Sequence, residues 1–122
     1  MLSLLGLTLA ALACAPGATR APVTDIPAGT YVLVEPETDV YHAVNIEERA
    51  FSVRMGDDIH TGQHWIDSEG RLHMSDDAGP CVGQESIWTY SYANGRVTLD
   101  LVEDQCTARP MTFPQRWVWA RD

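Results

Sequence analysis

From Gly29 onward, apolar and polar residues alternate with a period of two through most of the chain, and the alternation is cleanest between Gly83 and Arg109. Trp88, Tyr90 and Tyr92 share one parity there, Thr89 and Ser91 the other; beyond Asn94-Gly95, Val97, Leu99 and Leu101 alternate with Thr98 and Asp100. A period of two sends successive side chains to opposite faces of a strand. Asn-Gly is the strongest two-residue signal for a hairpin, because both residues tolerate the positive φ of a type I′ turn. Placing Ala93 opposite Arg96 fixes the register as Tyr92 with Val97, Tyr90 with Leu99 and Trp88 with Leu101, all on one face. Burial is worth about 1.5–3 kcal/mol for each such side chain, so this hairpin predicts the centre of a sheet.

Shorter runs repeat the pattern on either side. Gly29 to Val34 is β-branched and aromatic and stops at Glu35-Pro36, where the proline forbids continuation as a central strand. Val40 to Val44 and Ala50 to Met55 are weaker strands, the second with Phe51, Val53 and Met55 on one face. Gly62 to Ile66 and Arg71 to Ser75 flank the turn cluster Asp67-Ser68-Glu69-Gly70. Closing that hairpin at Ile66 and Arg71 turns Trp65, Leu72 and Met74 to the core and sets His64 opposite His73, both facing water. Gln115 to Ala120 carries Trp117 and Trp119 inward. Seven or eight short strands with no competing helical period predict an all-β domain, a closed barrel or a β-sandwich. Under this alternation Tyr31, Trp65, Trp88, Tyr90, Tyr92, Trp117 and Trp119 all point inward. Large aromatics bury about 150–250 Å² each, so a short barrel is expected to be packed by its rings. Any ligand pocket is then shallow, at one mouth, with Tyr31, Trp65, Trp88, Tyr90, Tyr92 and Trp117 as its candidate lining.

The pattern differs before Gly29. Residues 1–13 are an apolar run ending in Ala11-Leu12-Ala13, of signal-peptide length and too short for the roughly 20 residues of a transmembrane helix. Cys14 follows small residues, resembling a bacterial lipoprotein box with alanine where leucine is commonest. Residues 14–28, rich in Pro, Ala and Thr, read as a flexible tether, leaving 29–122 as the folded domain. The chain has three cysteines, and an odd one in an oxidising compartment needs a reason. Cys81 and Cys106 stand about equally far from Asn94-Gly95, so antiparallel pairing returns them to one end of the sheet. That predicts a Cys81–Cys106 disulfide and leaves Cys14 for lipidation.

The chain carries a net charge of −9, from 17 acidic and 8 basic residues, which argues against nucleic acid and anionic lipid as partners. Membrane contact is expected only through the lipid anchor, and the protein is expected to be a monomer. His64 and His73 are weak metal candidates, since two solvent-facing imidazoles do not make a site; no metal and no cofactor are expected. The acidic pairs Asp57-Asp58, Asp76-Asp77 and Glu103-Asp104 lack a twelve-residue calcium loop. Asp104 and Arg109 are placed to pair across the turn around Cys106. No Gly-rich phosphate loop, GxSxG elbow, HExxH helix or CxxC pair is present, so no catalytic residues are assigned and an enzyme is not expected.

Two phrases repeat loosely: Gly62-Gln63-His64-Trp65 running to Gly70-Arg71-Leu72-His73-Met74, and Gly83 through Trp88 and Tyr90 to Gly95-Arg96-Val97-Thr98-Leu99. With Gly29-Thr30-Tyr31 at the start, and Asp104 to Arg109 before a Trp-rich last strand, the domain resembles the small secreted lipocalin-like, calycin-type proteins of bacteria. The resemblance implies an antiparallel up-and-down barrel in which Tyr31 replaces a tryptophan and Arg116 or Arg121 stacks over its ring. It implies no ligand, since that fold carries binding proteins, inhibitors and a few enzymes. Without a catalytic motif, the expectation is a binding module for a small apolar or amphipathic ligand in the barrel mouth, or an interaction protein whose barrel is a scaffold for a protein partner; the apolar run 1–13 and Cys14 put it in the cell envelope, facing the periplasm or the cell surface, or else secreted. A relative of that kind is the periplasmic metalloprotease inhibitor, whose N-terminal segment enters a protease cleft; the position of both cysteines in the C-terminal half departs from it.

Overall fold

The alternating segments become eight strands in the computed structural model, which describes residues 25–110 and 113–122: β1 (Gly29–Glu35), β2 (Tyr41–Ile46), β3 (Ala50–Met55), β4 (Asp58–Ile66), β5 (Leu72–Asp76), β6 (Glu85–Ala93), β7 (Arg96–Asp104) and β8 (Arg116–Arg121). Each strand pairs antiparallel with the next, and β8 returns to β1, so the sheet is a closed up-and-down barrel rather than a sandwich. Closure removes the unpaired edges that an open eight-stranded sheet would present. The expected signal segment 1–13, Cys14 and the tether up to residue 24 lie outside the described residues.

The β6–β7 hairpin has the register read from the sequence, from Ala93 opposite Arg96 to Trp88 opposite Leu101. Its turn is made by Asn94 at φ 53° and Gly95 at φ 74°, the left-handed pair that a type I′ turn requires. The β4–β5 hairpin differs from expectation by one residue. Ile66 pairs with Leu72, not Arg71, so His64 faces Met74 and Trp65 faces His73. The cause is the turn itself. Asp67 N–H donates to the Arg71 carbonyl at 3.0 Å, its Oδ1 accepts the N–H groups of Glu69 and Arg71, and Gly70 sits at φ 79°. That is a three-residue loop with a left-handed glycine. A slip of one residue moves every side chain of the strand to the other face: His64 goes inside and Trp65 outside.

The packed domain starts before Gly29. Ile26 is 7% exposed and belongs to the core, the Tyr31 hydroxyl donates to the Pro27 carbonyl at 2.6 Å, and the Tyr90 hydroxyl donates to Asp25 Oδ1 at 2.7 Å. The last four residues of the expected tether therefore plug one end of the barrel. Arg121 holds this plug, donating to the Ala28 carbonyl at 3.2 Å with its guanidinium 5.9 Å from the centre of the Tyr31 ring. Arg116 is on the outside, 3.7 Å from Glu35 and 3.6 Å from Asp100. At the opposite end the β5–β6 and β7–β8 loops are joined by the Cys81–Cys106 disulfide, with Cα atoms 5.4 Å apart.

Candidate functional site

The inner faces of the strands enclose a cavity of about 640 Å³. Its wall is built by alternation: Tyr31 from β1, Val44 from β2, Phe51 and Val53 from β3, Leu72 and Met74 from β5, Trp88 from β6, Leu99 from β7, and Trp117 and Trp119 from β8. The plug closes one end. The stapled loops form the mouth, where Pro80, Cys81, Arg109 and Phe113 line the opening together with Asp58 and Asp76 at strand ends. Arg109 is itself neutralised there: it pairs with Asp104, lies 3.9 Å from Asp76 and sits 4.4 Å over the Phe113 ring.

A barrel filled by its rings is therefore not what the chain forms. Three strands, β4, β6 and β7, run to nine residues each, too long for the short barrel that its rings would fill. The rings also stack as a wall instead of a plug. Trp117 and Trp119 lie nearly parallel at 5.6 Å, and Tyr41 meets Trp117 edge-on at 4.7 Å. Phe51 fits because β4 has no side chain at Gly62, where a Cβ would fall 2.4 Å from its Cζ and 2.2 Å from the Ser75 carbonyl oxygen.

Of the candidate lining residues, Tyr31, Trp88 and Trp117 border the cavity, whereas Trp65, Tyr90 and Tyr92 do not. Tyr90 and Tyr92 pack against the core near the plug. Burial, followed by the hydrogen bond and charge of Asp25, pushes the Tyr90 phenol up to about 12. Trp65 is on the outer face. Tyr41, Phe51, Phe113 and His64 are wall residues that the sequence reading left out. The parity of Phe51 with Val53 and Met55 pointed to it, but Phe113 sits in a loop with no periodicity to betray it.

The two histidines are not solvated, and they lie on opposite faces. His64 is 4% exposed; its Nε2 lies 2.7 Å from the Glu47 carbonyl oxygen and its buried Nδ1 has no hydrogen-bond partner. His73, 7% exposed, is clasped from outside: Nδ1 is 2.7 Å from Glu85 Oε2 and Nε2 is 2.8 Å from Asp67 Oδ2. Two carboxylates can both be satisfied only if both ring nitrogens carry protons. Trp65 stacks on this imidazolium at 3.9 Å and donates its Nε1–H to Glu85 Oε1 at 3.2 Å, while Arg71 Nε donates to Asp67 Oδ2 at 3.1 Å. Burial pulls the His73 imidazolium down, but the hydrogen bonds and charges of Glu85 and Asp67 outweigh it and its pKa is raised. The His73 hydrogen bond, then the N–H groups of Arg71 and Glu69, hold Asp67 well below the usual carboxylate range. Two imidazoles on opposite sides of a sheet cannot share an ion, and among the described residues no three His, Cys, Asp or Glu side chains converge to hold a metal.

Among the described residues the barrel thus surrounds an apolar chamber that opens at a mouth rimmed by charge, and an ionic clasp lies on the outside of its wall. No protein-family model, curated protein or solved structure matches the chain.

Proposed function

We propose that this protein is an exported, lipocalin-like binding barrel that holds one small apolar or amphipathic molecule in its interior. The observation that carries the reading is the cavity of about 640 Å³ walled by aromatic and aliphatic side chains and closed at one end. Ligand sites occupy roughly 300–1,000 Å³ and are mostly apolar with a few placed polar groups. An empty chamber of this kind forfeits the packing contacts of its lining, and an apolar guest restores them while leaving water, at about 25 cal/mol per Å² of apolar area buried. The net charge of −9 suits a guest that is neutral or positively charged where it meets the mouth. Anchoring through Cys14 after removal of residues 1–13 belongs to the same reading and is supported by the pairing of the other two cysteines with each other; it would keep the barrel at a membrane from which such molecules partition. Native mass spectrometry of the protein isolated from its own host tests this. A bound organic species of one or a few defined masses, released on denaturation, is expected; a protein recovered only at its own mass, which also takes up no apolar compound when offered one, contradicts it.

A further inference from the structure

The chamber changes character at its open end. β4 begins there, and its alternation sets Asp58 and His60 on the face that carries the buried Gly62 and His64 deeper in. On β5, Asp76 follows Leu72 and Met74 in the same way. Asp58, His60 and Asp76 all border the cavity. Tyr41, Met55 and Asp58 form one row across β2, β3 and β4, since Tyr41 pairs with Met55 and Met55 with Asp58, and all three border the cavity. An aromatic ring, a polarisable thioether and a carboxylate therefore stand next to one another on the rim. The Asp58 carboxylate is exposed and has no hydrogen-bond or ion partner among the described residues. The guanidinium on the rim, that of Arg109, is already taken by Asp104 and by the Phe113 ring, with Asp76 a further 3.9 Å away. Its one positive charge is set against Asp58, Asp76 and Asp104, so the opening of the apolar chamber is negative.

We propose that the guest is an amphipathic amine, whose hydrocarbon part lies in the chamber and whose protonated nitrogen stays at the mouth, where it donates to Asp58 beside the Tyr41 ring and within the field of Asp76. This rests on the binding reading above and narrows it: the anion of a fatty acid meets like charge at the rim, and an alcohol of the same length gains nothing from that charge. Hydrogen bonds to an ionised partner are about twice as strong as neutral ones, and the face of an aromatic ring attracts a cation. The head group, more than the length of the chain, then decides which guests are kept.

Equilibrium dialysis of the purified protein against decylamine, decanol and decanoate, at neutral pH, low salt and concentrations too low for micelles, tests this. The three have similar chains and differ in their heads, since at neutral pH an alkylamine keeps its proton as lysine does and a carboxylate has lost its own. The structure predicts that decylamine binds roughly tenfold more tightly than decanol, which corresponds to about 1.4 kcal/mol, and that decanoate binds most weakly. The preference should shrink at high salt, because the rim is exposed to screening. It should vanish in the double variant Asp58→Asn with Asp76→Asn, which keeps the shape of the rim. It should persist in Glu47→Gln with Glu48→Gln, which makes the same change in net charge on the β2–β3 turn at the plugged end. Equal binding of decylamine and decanol, tightest binding of decanoate, a preference that survives in the Asp58 and Asp76 variant, or one lost equally in the Glu47 and Glu48 variant would overturn the cationic head while the chamber stands. Failure of all three compounds to bind overturns the chamber and the head group together.

Discussion

The disulfide between Cys81 and Cys106 offers the sharpest quantitative check on how this small barrel is held. The two residues are 25 apart in sequence and each lies in a loop at the mouth, so the bond does not cross-link strands that are otherwise free to separate. Its main action is on the unfolded chain. Closing a loop of that length removes about 12 cal/mol/K of entropy, which is about 3.5 kcal/mol at 25 °C. For a domain whose whole stability is expected to be about 5–15 kcal/mol, that is a large fraction. The perturbation is the double substitution Cys81→Ala with Cys106→Ala, so that no free thiol remains, and the assay is equilibrium urea unfolding at neutral pH followed by tryptophan fluorescence. A loss near 3.5 kcal/mol is expected, with a larger dependence on urea because the uncross-linked unfolded chain is more expanded. The melting temperature should drop by roughly 14–28 °C, at about 4–8 °C per kcal/mol for a domain of this size. The strands should survive, because their pairing does not depend on the bond, and hydrogen exchange should quicken chiefly in residues 77–84 and 105–110. A loss below about 1 kcal/mol, or exchange that quickens at the plugged end instead, refutes the reasoning.

Other perturbations probe other parts of the structure. Gly62→Ala drives a methyl group into the Phe51 ring and the Ser75 carbonyl at under 2.5 Å and should cost about 3 kcal/mol in urea unfolding, at the top of the usual range for overpacking; a neutral result would mean that Phe51 does not lie against β4. Gly95→Ala meets only the Arg121 Cβ at 3.7 Å, an ordinary contact, so it should cost about 1–2 kcal/mol through backbone strain at positive φ alone. The His73 clasp makes stability depend on pH in a defined direction. Because the folded-state pKa of His73 is raised, its contribution is complete below its ordinary value of 6.5 and is lost as pH rises through the raised value. Because that of Asp67 is depressed, its contribution is present above 3.8 and is lost as pH falls. Melting temperatures measured from pH 3 to 9 should therefore peak between those limits, and His73→Gln should flatten the alkaline fall; identical pH profiles for the two proteins would remove the clasp from the account.

How far the sequence could be read depended on the turns. At Asn94-Gly95 two residues name both the turn type and the loop length, so the whole β6–β7 register and the inward set from Trp88 to Leu101 followed. At Asp67 to Gly70 the same composition serves turns of different length. The Asp67 carboxylate gathers two backbone N–H groups and shifts the closure by one residue, to Asp67 and Arg71, and no propensity distinguishes that three-residue loop from the four-residue closure at Ile66 and Arg71. The error then ran up the strand and exchanged His64 with Trp65. A cue was present: Gly70 after three turn formers fits the left-handed position of a three-residue loop. The cavity was illegible for a different reason. Counting inward rings measures what points inside but not how flat it lies, and the parallel stacking of Trp117 on Trp119 leaves a chamber where a count of volumes anticipated a filled core. Ile26 was missed because one apolar residue between Asp25 and Pro27 has no period, and only its plugging of the barrel end gives it a role.

The central claim is that the interior chamber takes up an apolar molecule, and titration with the neutral fluorophore N-phenyl-1-naphthylamine measures it most directly. The account predicts a saturable, one-to-one rise in fluorescence with energy transfer from the wall tryptophans, reversed when excess naphthalene, an apolar compound without fluorescence at the probe's emission, displaces the probe. Fluorescence that rises without saturation, shows no energy transfer, or is unchanged by the competitor would place the probe on the surface and contradict the account.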